Sequence, residues 1–456
     1  MRNLTTGLFL ILFSVAVIAA PKDRNAKDSL KYFPSAKTVN IDLNVSDGEF
    51  LMTVARDTWK FFENSTYGRS GFVVDKLLVD KQNAAHYTSV TNIGLYMLCC
   101  MSAEQLGFIS HSNAEKLIAT AVENLNRFPK YKGFLYNWYE LDLMKPADEY
   151  ISTVDAGWLL SCLDIVSGAY PALRAKCSAI MNGADFRQLY ADSLGAFSLG
   201  DRKGTGLSKY HYELLCSESR ISLYYAIKHG QLKPESYFRL KRTLPAEIDQ
   251  NQIPEGIWKR YKGIEYFNGW YTFDSLKFVP SWGGSAFEYL MPGLLFDERF
   301  AYNSLGLNNR RIVRLQIEYA LKDLNYPVWG MSPCALPEAG YGEFGVPPVG
   351  TKRGGYPSGV VTPHASVLAL SYDPKPVISN LKTMMRKYPV YGEYGFYDSI
   401  LMDSGRVTYS YLALDQAMIL ISITNYLKDG YFPSLFMQGK NMKRLMNIIK
   451  SDRFFQ

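Results

Sequence analysis

The chain has 456 residues, a formal charge of +7, and 47% hydrophobic and 14% aromatic side chains. That apolar share excludes a disordered chain, and six cysteines spread over such a length exclude a disulfide-stapled scaffold. The excess positive charge gathers in residues 440–450, which read as a solvated helix face and not as a nucleic-acid surface.

Residues 1–20 carry the pattern of an export signal, with Arg2 at the positive end and an apolar run from Leu8 to Ala20 that is short for a bilayer span. Cleavage after Ala19 leaves no membrane span and implies a periplasmic or secreted protein. Residues 21–48 form a polar N-terminal extension, and with no Gly/Ser-rich or charge-block linker beyond it, residues 49–456 read as a single domain. Helical apolar spacing starts near Phe50. It continues over 92–106 and 114–128, a hairpin closed by Gly107 and reopened by a Ser112-Asn113 cap. Further helical stretches are 154–166, 214–228, 285–295, 310–321, 363–370, 376–387 and 411–427, with few and short strand signals. Between them lie long loops rich in Gly, Pro and aromatics, above all 255–282 and 329–357. Cys162 and Cys177 are close enough in sequence for a local disulfide; otherwise the cysteines read as small buried hydrophobes.

A glycine beside aromatic or small apolar residues recurs six times, at Gly71, Gly133, Gly195, Gly263 to Gly269, Gly330 and Gly395, at intervals of 61 to 74 residues. Each interval has room for two helices of ordinary length. The rhythm predicts an all-α fold, an (α/α)6 toroid of six helical hairpins whose aromatic, acid-bearing loops gather at one mouth.

Few familiar chemistries survive inspection. Five histidines without a His-Glu-x-x-His run, and no Cys-x-x-Cys pair, leave no case for a metal, and no cofactor is implied. Gly340-Tyr341-Gly342-Glu343-Phe344-Gly345 matches a dinucleotide fingerprint by letters, but Pro347-Pro348 stands where its helix would begin. His364, just inside a helix, reads as structural. Carboxylates set among aromatics remain: Asp142 after Trp138-Tyr139, Asp155, Glu218, Glu288 after Trp282, Glu343 after Tyr341, and Asp398 after Tyr397. Glycosidic hydrolysis uses one carboxyl group as acid and a second as base or nucleophile, while flat rings stack on sugar faces and 33 tyrosines supply hydroxyls as well. Asp155, three residues after Ser152, serves either as part of a helix cap or at the site. Glu218 stands at an apolar helix start, and Arg220, two residues on, is off its helical face, so local pairing does not account for the acid.

Thr88-Ser89-Val90-Thr91-Asn92, Tyr136-Asn137-Trp138-Tyr139, Ser152-Thr153-Val154-Asp155, Trp282-Gly283-Gly284-Ser285-Ala286-Phe287-Glu288, Tyr341-Gly342-Glu343-Phe344-Gly345, Tyr394-Gly395-Phe396-Tyr397-Asp398-Ser399 and Leu414-Asp415-Gln416 follow one another in this order. Together they resemble the bacterial glucoamylase-like family that includes endo-β-1,2-glucanases and the cyclising domain of cyclic β-1,2-glucan synthases. The resemblance spans residues 50–427 and implies an (α/α)6 toroid acting on a β-glucan, most simply a β-1,2-linked one. It implies Glu218 as general acid, with Glu288 and Asp398 competing for the second role and the proton relayed through a substrate hydroxyl or water. Trp138, Tyr139, Asp142, Asp155, Arg220, Trp282, Tyr341, Glu343 and Tyr397 are the expected substrate-binding residues of a monomer whose partner is a poly- or oligosaccharide. Val90, where the family pattern has proline, and Glu140-Leu141-Asp142, where it has Asp-Thr, bear on linkage and subsites. A non-catalytic glycan-binding protein, a lyase and a transglycosylase using the same cleft are the alternatives.

Overall fold

Serine and threonine hydroxyls start many of the helices by accepting the first free backbone N–H groups. In the computed structural model, which describes residues 25–456 except Arg69 and Ala339, this holds for Ser46, Ser89, Ser110, Ser152, Ser285 and Thr362. The expected export signal lies outside the described residues. In chain order the α-helices are α1 (Asp47–Asn64), α2 (Val90–Gln105), α3 (His111–Arg127), α4 (Thr153–Ala169), α5 (Arg174–Met181), α6 (Arg220–Lys228) and α7 (Ala286–Leu290). They are followed by α8 (Leu305–Glu318), α9 (Pro363–Leu368), α10 (Pro374–Lys387), α11 (Ala413–Leu427), α12 (Tyr431–Phe436) and α13 (Lys440–Ser451).

Helices α2 and α11 are buried almost all round, as their unbroken apolar sequences require. Helix α2 packs between α4 and α11, α4 packs on α6, and α9 packs between α7 and α11. Amphipathic helices lie outside this series: α1 against α2 and α11, α3 against α2 and α5, α8 against α7, α10 against α9, and α13 against α6. One apolar core runs through them, from Ala26 in the extension to Phe454 near the C-terminus. No helix among the described residues is long and apolar enough to cross a membrane.

The helix-rich scaffold matches expectation, but 24 strands among the described residues depart from an all-α reading, and two of them, Glu255–Tyr261 and Ile264–Phe273, form a long hairpin where a loop over 255–282 was expected. Most pair over two or three residues in loop hairpins, too few for a period-2 pattern to emerge from sequence. The six recurring glycines explain the rhythm: Gly71, Gly133, Gly195, Gly263, Gly330 and Gly395 all have positive φ, between +69° and +115°. Gly133, Gly195 and Gly263 turn the chain between paired strands, and Gly395 opens the second strand of another such pair, in a left-handed conformation that glycine adopts without a Cβ clash.

Several helix boundaries move for local reasons. The helix expected from 214 starts at Arg220, because Leu214 and Cys216 form bridges to Lys241 and Ser281. The one expected over 285–295 is α-helical only to Leu290 and then tightens into a 3-10 turn, where Pro292 brings no N–H. Helix α3 is capped by Ser110, not by Ser112. Cys162 and Cys177 are buried free thiols and form no disulfide.

The C-terminus is tied down by a fully buried ion pair. Arg242 Nη2 donates to Asp452 Oδ2 at 2.7 Å, the Tyr237 hydroxyl donates to the same oxygen at 3.0 Å, and the rings of Tyr237, Phe238, Tyr266 and Phe454 surround the guanidinium. Asp452→Asn leaves that cation without a counter-charge in the core. The expected loss is about 3–5 kcal/mol of stability, read from the midpoint of a urea denaturation curve.

Candidate active site

Acids and polar groups occupy the first turns of the packed helices. Asn92 is the third residue of α2, Asp155 of α4, Glu288 of α7 and Asp415 of α11, with His364 second in α9 and Glu218 in the turn that leads into α6. Free N–H groups and the positive end of the helix dipole make this position favourable for a carboxylate.

Glu218 and Glu288 are each 2% exposed. Burial, reinforced by the charge of Glu288, pushes the Glu218 carboxyl up to about 8, so at neutral pH it holds its proton. The Ser217 hydroxyl lies 3.2 Å from Glu218 Oε2. Glu288 is held differently. Its carboxylate accepts from Ser281 Oγ (3.0 Å), Gly283 N (3.0 Å), Ser285 N (2.9 Å) and Ser285 Oγ (2.7 Å), closing the capping box of α7. Burial raises its pKa and these bonds oppose the rise. Oε2 takes three of these bonds from its own loop, and Oε1 accepts from Gly283 N alone.

Tyr356 completes this group. Its ring lies against Gly283, where an added Cβ would stand 2.0 Å from Tyr356 Cδ2, so only glycine fits. Burial and the charges of Glu288, Glu343 and Glu218 hold its hydroxyl far above the ordinary range. Glu343 is half-buried, bonded to Tyr356 and raised by burial, while Lys352 opposes the shift. Trp282 is half-buried beside them, and its buried Nε1 finds no protein acceptor.

A second group forms around Asp398, also 2% exposed, whose Oδ2 accepts from Ala335 N at 2.6 Å. Asp398 and Asp415 share a hydrogen bond. Burial pushes Asp398 up to about 6, with the Asp415 bond and Lys76 opposing; Asp415 goes well above its ordinary value through burial and the charge of Asp398. Both carboxyls are raised and titrate as a pair, which holds one proton between them after the first is lost. His364 Nδ1 is 3.5 Å from Asp415 Oδ2, and burial drops the imidazole to about 3, keeping it neutral. Its structural reading fits a ring nitrogen 2.9 Å from Thr362 Oγ1. Tyr341, on a strand paired with Cys334–Ala335, is raised by burial and by Asp415, Asp398 and Asp75.

The segment from Tyr341 to Tyr356 spans both groups. On the other side, Tyr212 is raised by burial and by Glu218 and Asp155. Asp155 Oδ1 accepts from Thr91 Oγ1 at 2.6 Å, and the Ser152 hydroxyl accepts from Asp155 N at 3.4 Å, so the residue belongs to the cap region and to the acid circle alike. With its amide oriented to satisfy both neighbours, Asn137 donates to Asp155 Oδ2 and accepts from Trp138 Nε1, each at 3.2 Å. Asn92 Nδ2 donates to Asp75 at 2.9 Å. Trp138 is half-buried on a strand paired with Tyr87–Ser89, and Asp142 lies on an exposed turn beyond it.

Three residues expected to touch substrate have structural environments instead. Tyr139 is fully buried, stacks on Phe128 with centroids 4.0 Å apart, and its hydroxyl donates to Pro129 O. Tyr397 is 1% exposed and donates to Lys37 O in the N-terminal extension. Arg220 is enclosed in an ion pair with Glu298. Conversely, Asp415, Asp75 and Tyr356 are members of the circle that sequence reasoning left unassigned. Asp415 had a legible signal, since it takes the same third helical position as Asp155 and Glu288. Among the described residues no group of three or more His, Cys, Asp or Glu is placed to hold a metal ion.

The packed helices have a fold similar to that of solved structures described as putative glucoamylases and endo-β-1,2-glucanases. Residues 246–440 match the family model described as “Putative glucoamylase”, and residues 53–224 match one described as a protein of unknown function (DUF3131). The chain is 25% identical to cyclic β-(1,2)-glucan synthase NdvB of Rhizobium meliloti (strain 1021), in an alignment taking in 94% of this chain. It spans 19% of the length of that relative. Among solved structures, endo-β-1,2-glucanase from Chitinophaga pinensis, in complex with sophorotriose and glucose, superposes with a TM-score of 0.68 at 17% identity, covering 89% of this chain and 98% of that one. A β-1,2-glucanase from Parabacteroides distasonis gives 0.69 at 14% identity, covering 90% and 60%. At these identities the likeness is one of fold.

Proposed function

We propose that this chain is an exported glycoside hydrolase that cleaves a β-glucan, β-1,2-linked, in a basin at one mouth of a single-domain (α/α)6 toroid. The observation that carries the reading is two buried carboxyl groups in unlike surroundings, joined by the Tyr341 to Tyr356 segment: Glu218, which burial and Glu288 keep protonated at neutral pH, and Asp398, which shares a proton with Asp415 and so leaves one carboxylate as a base. Two carboxyl groups pushed to different states by their surroundings are what acid/base hydrolysis requires. The fold likeness to two β-1,2-glucanases and the alignment with a cyclic β-1,2-glucan synthase support the choice of linkage.

In this reading Glu218 protonates the glycosidic oxygen as its bond to the anomeric carbon breaks. Asp398 takes a proton from the incoming water, directly or through a substrate hydroxyl, as the new C–O bond forms. Glu288, whose Oε2 is held by three bonds from its own capping loop, braces the segment that carries Trp282 and Gly283, and the second catalytic role is assigned to Asp398. Trp138 and Trp282 offer sugar-stacking faces, and Asp142, Asp155, Tyr341 and Glu343 offer hydroxyl partners.

Purified protein incubated with β-1,2-, β-1,3-, β-1,4- and α-glucans, followed by product size, tests this. Shortening of β-1,2-glucan is expected. No shortened glycan, a rearranged product of unchanged total length, or an unsaturated ultraviolet-absorbing product would each reject hydrolysis, the last two in favour of transglycosylation and of a lyase respectively.

A further inference from the structure

Arg220 opens α6, two residues after Glu218, and its side chain is fully enclosed. Nε and Nη2 fork onto the two oxygens of Glu298 at 2.6 and 2.9 Å. Nη1 donates to Ser217 O at 2.8 Å and to Glu288 O at 3.1 Å, and Nη2 also donates to Tyr289 O. Glu298 is fixed in turn by the Tyr224 hydroxyl and by Asn309 Nδ2, each at 2.8 Å. One rigid cation therefore holds the carbonyl next to Glu218 and the carbonyls of Glu288 and its neighbour, 68 and 69 residues away along the chain. A buried ion pair contributes little net stability compared with apolar residues of the same volume. Apolar residues, however, cannot bond three carbonyls on two separate elements, and a planar guanidinium with five donors can.

We propose that Arg220 is a positioning residue for catalysis, fixing the Ser217–Glu218 turn against the first turn of α7 so that the acid and the Glu288-braced loop keep one relative register. This rests on the reading of Glu218 as proton donor. Glu298 acts through Arg220 as its counter-charge and anchor.

Two variants test it on the full chain with β-1,2-glucan. Arg220→Lys keeps the cation but loses the fork, and the paired change Arg220→Met with Glu298→Met removes both charges, leaving no orphan in the core. In folded protein, kcat is expected to fall about 10-fold for the first and about 100-fold for the second, with KM nearly unchanged. Arg242→Lys, at the other buried arginine–carboxylate ion pair, lowers Tm and leaves kcat unchanged. A readout independent of activity is the 13C titration of the Glu218 carboxyl, assigned with Glu218→Gln. Because Arg220 is among the groups that favour the Glu218 anion, the midpoint rises in the double variant. Folded variants with kcat within twofold of the parent and an unmoved Glu218 midpoint would overturn the proposal, as would losses no larger than those of Arg242→Lys. If the parent cleaves no glucan while the Glu218 midpoint still follows Arg220, the functional reading falls and the coupling of Arg220 to Glu218 stands.

Discussion

Glu218→Gln is expected to fold normally and to lower kcat on β-1,2-glucan by about 10²–10⁴-fold, because the amide fills the same space but has no acidic proton to give. Its stability should carry a signature of its own. The Glu218 carboxyl titrates near 8 in the folded chain against an ordinary 4.5. Below 4.5 the group is protonated in both folded and unfolded chains, and the parent loses nothing. As pH rises from 4.5 to 8 the unfolded chain ionises while the folded chain must hold the proton, so the parent grows less stable relative to the amide variant. Glu218→Gln should therefore match the parent in thermal melts near pH 4 and exceed it at pH 8, by about 2–5 kcal/mol. An active variant would remove Glu218 from catalysis. Equal melts at both pH values would contradict its enforced protonation.

Asp398 and Asp415 give the second large effect. Catalysis in this account needs Asp398 ionised and Glu218 protonated, so kcat/KM should trace a bell with an acid limb near 6 and an alkaline limb near 8. Asp398→Asn abolishes the base and should lower kcat by about 10²–10⁴-fold. Asp415→Ala should act differently. The hydrogen bond shared with Asp415 favours the Asp398 anion, so its loss moves the acid limb to higher pH, whereas Asp415→Asn, which keeps an N–H donor at that place, should leave the limb close to the parent's. A limb that stays fixed in Asp415→Ala would show that the pair does not set it.

The scaffold was the most legible part because its punctuation is chemical. A left-handed turn favours glycine, so the six-fold spacing of Gly71 to Gly395 is visible without coordinates, and Ser285 followed three residues later by Glu288 is a capping signature. Glu288 nonetheless reads from sequence as a candidate for the second catalytic role. An acid in an apolar helix start reads as a partnerless, functional group, yet Glu288 finds its partners within its own loop. Glu218 has no such closure and stays a donor.

Depth and long-range pairing were not legible. Tyr139 and Tyr397 sit in aromatic, acid-rich motifs, but a phenol can bury its ring and satisfy its hydroxyl on a backbone carbonyl, as both do. Arg220 reads as a substrate contact beside Glu218 because its counter-ion, Glu298, is 78 residues away. Asp415 was passed over because its significance comes from a neighbour on another loop: next to Asp398 it is half of a proton-sharing pair, and alone it is one more acid in the first turn of a helix.

Hydrolysis requires a glucan lying between the Glu218 and Asp398 groups. A crystal structure of Glu218→Gln with a β-1,2-gluco-oligosaccharide tests this most directly. A glycosidic oxygen is expected within about 3.2 Å of the side chain at position 218, with the Asp398–Asp415 pair facing the same sugar unit directly or across one water or hydroxyl. A saccharide bound away from these acids, or one that meets Glu288 and not Asp398 at the cleavage point, would contradict it.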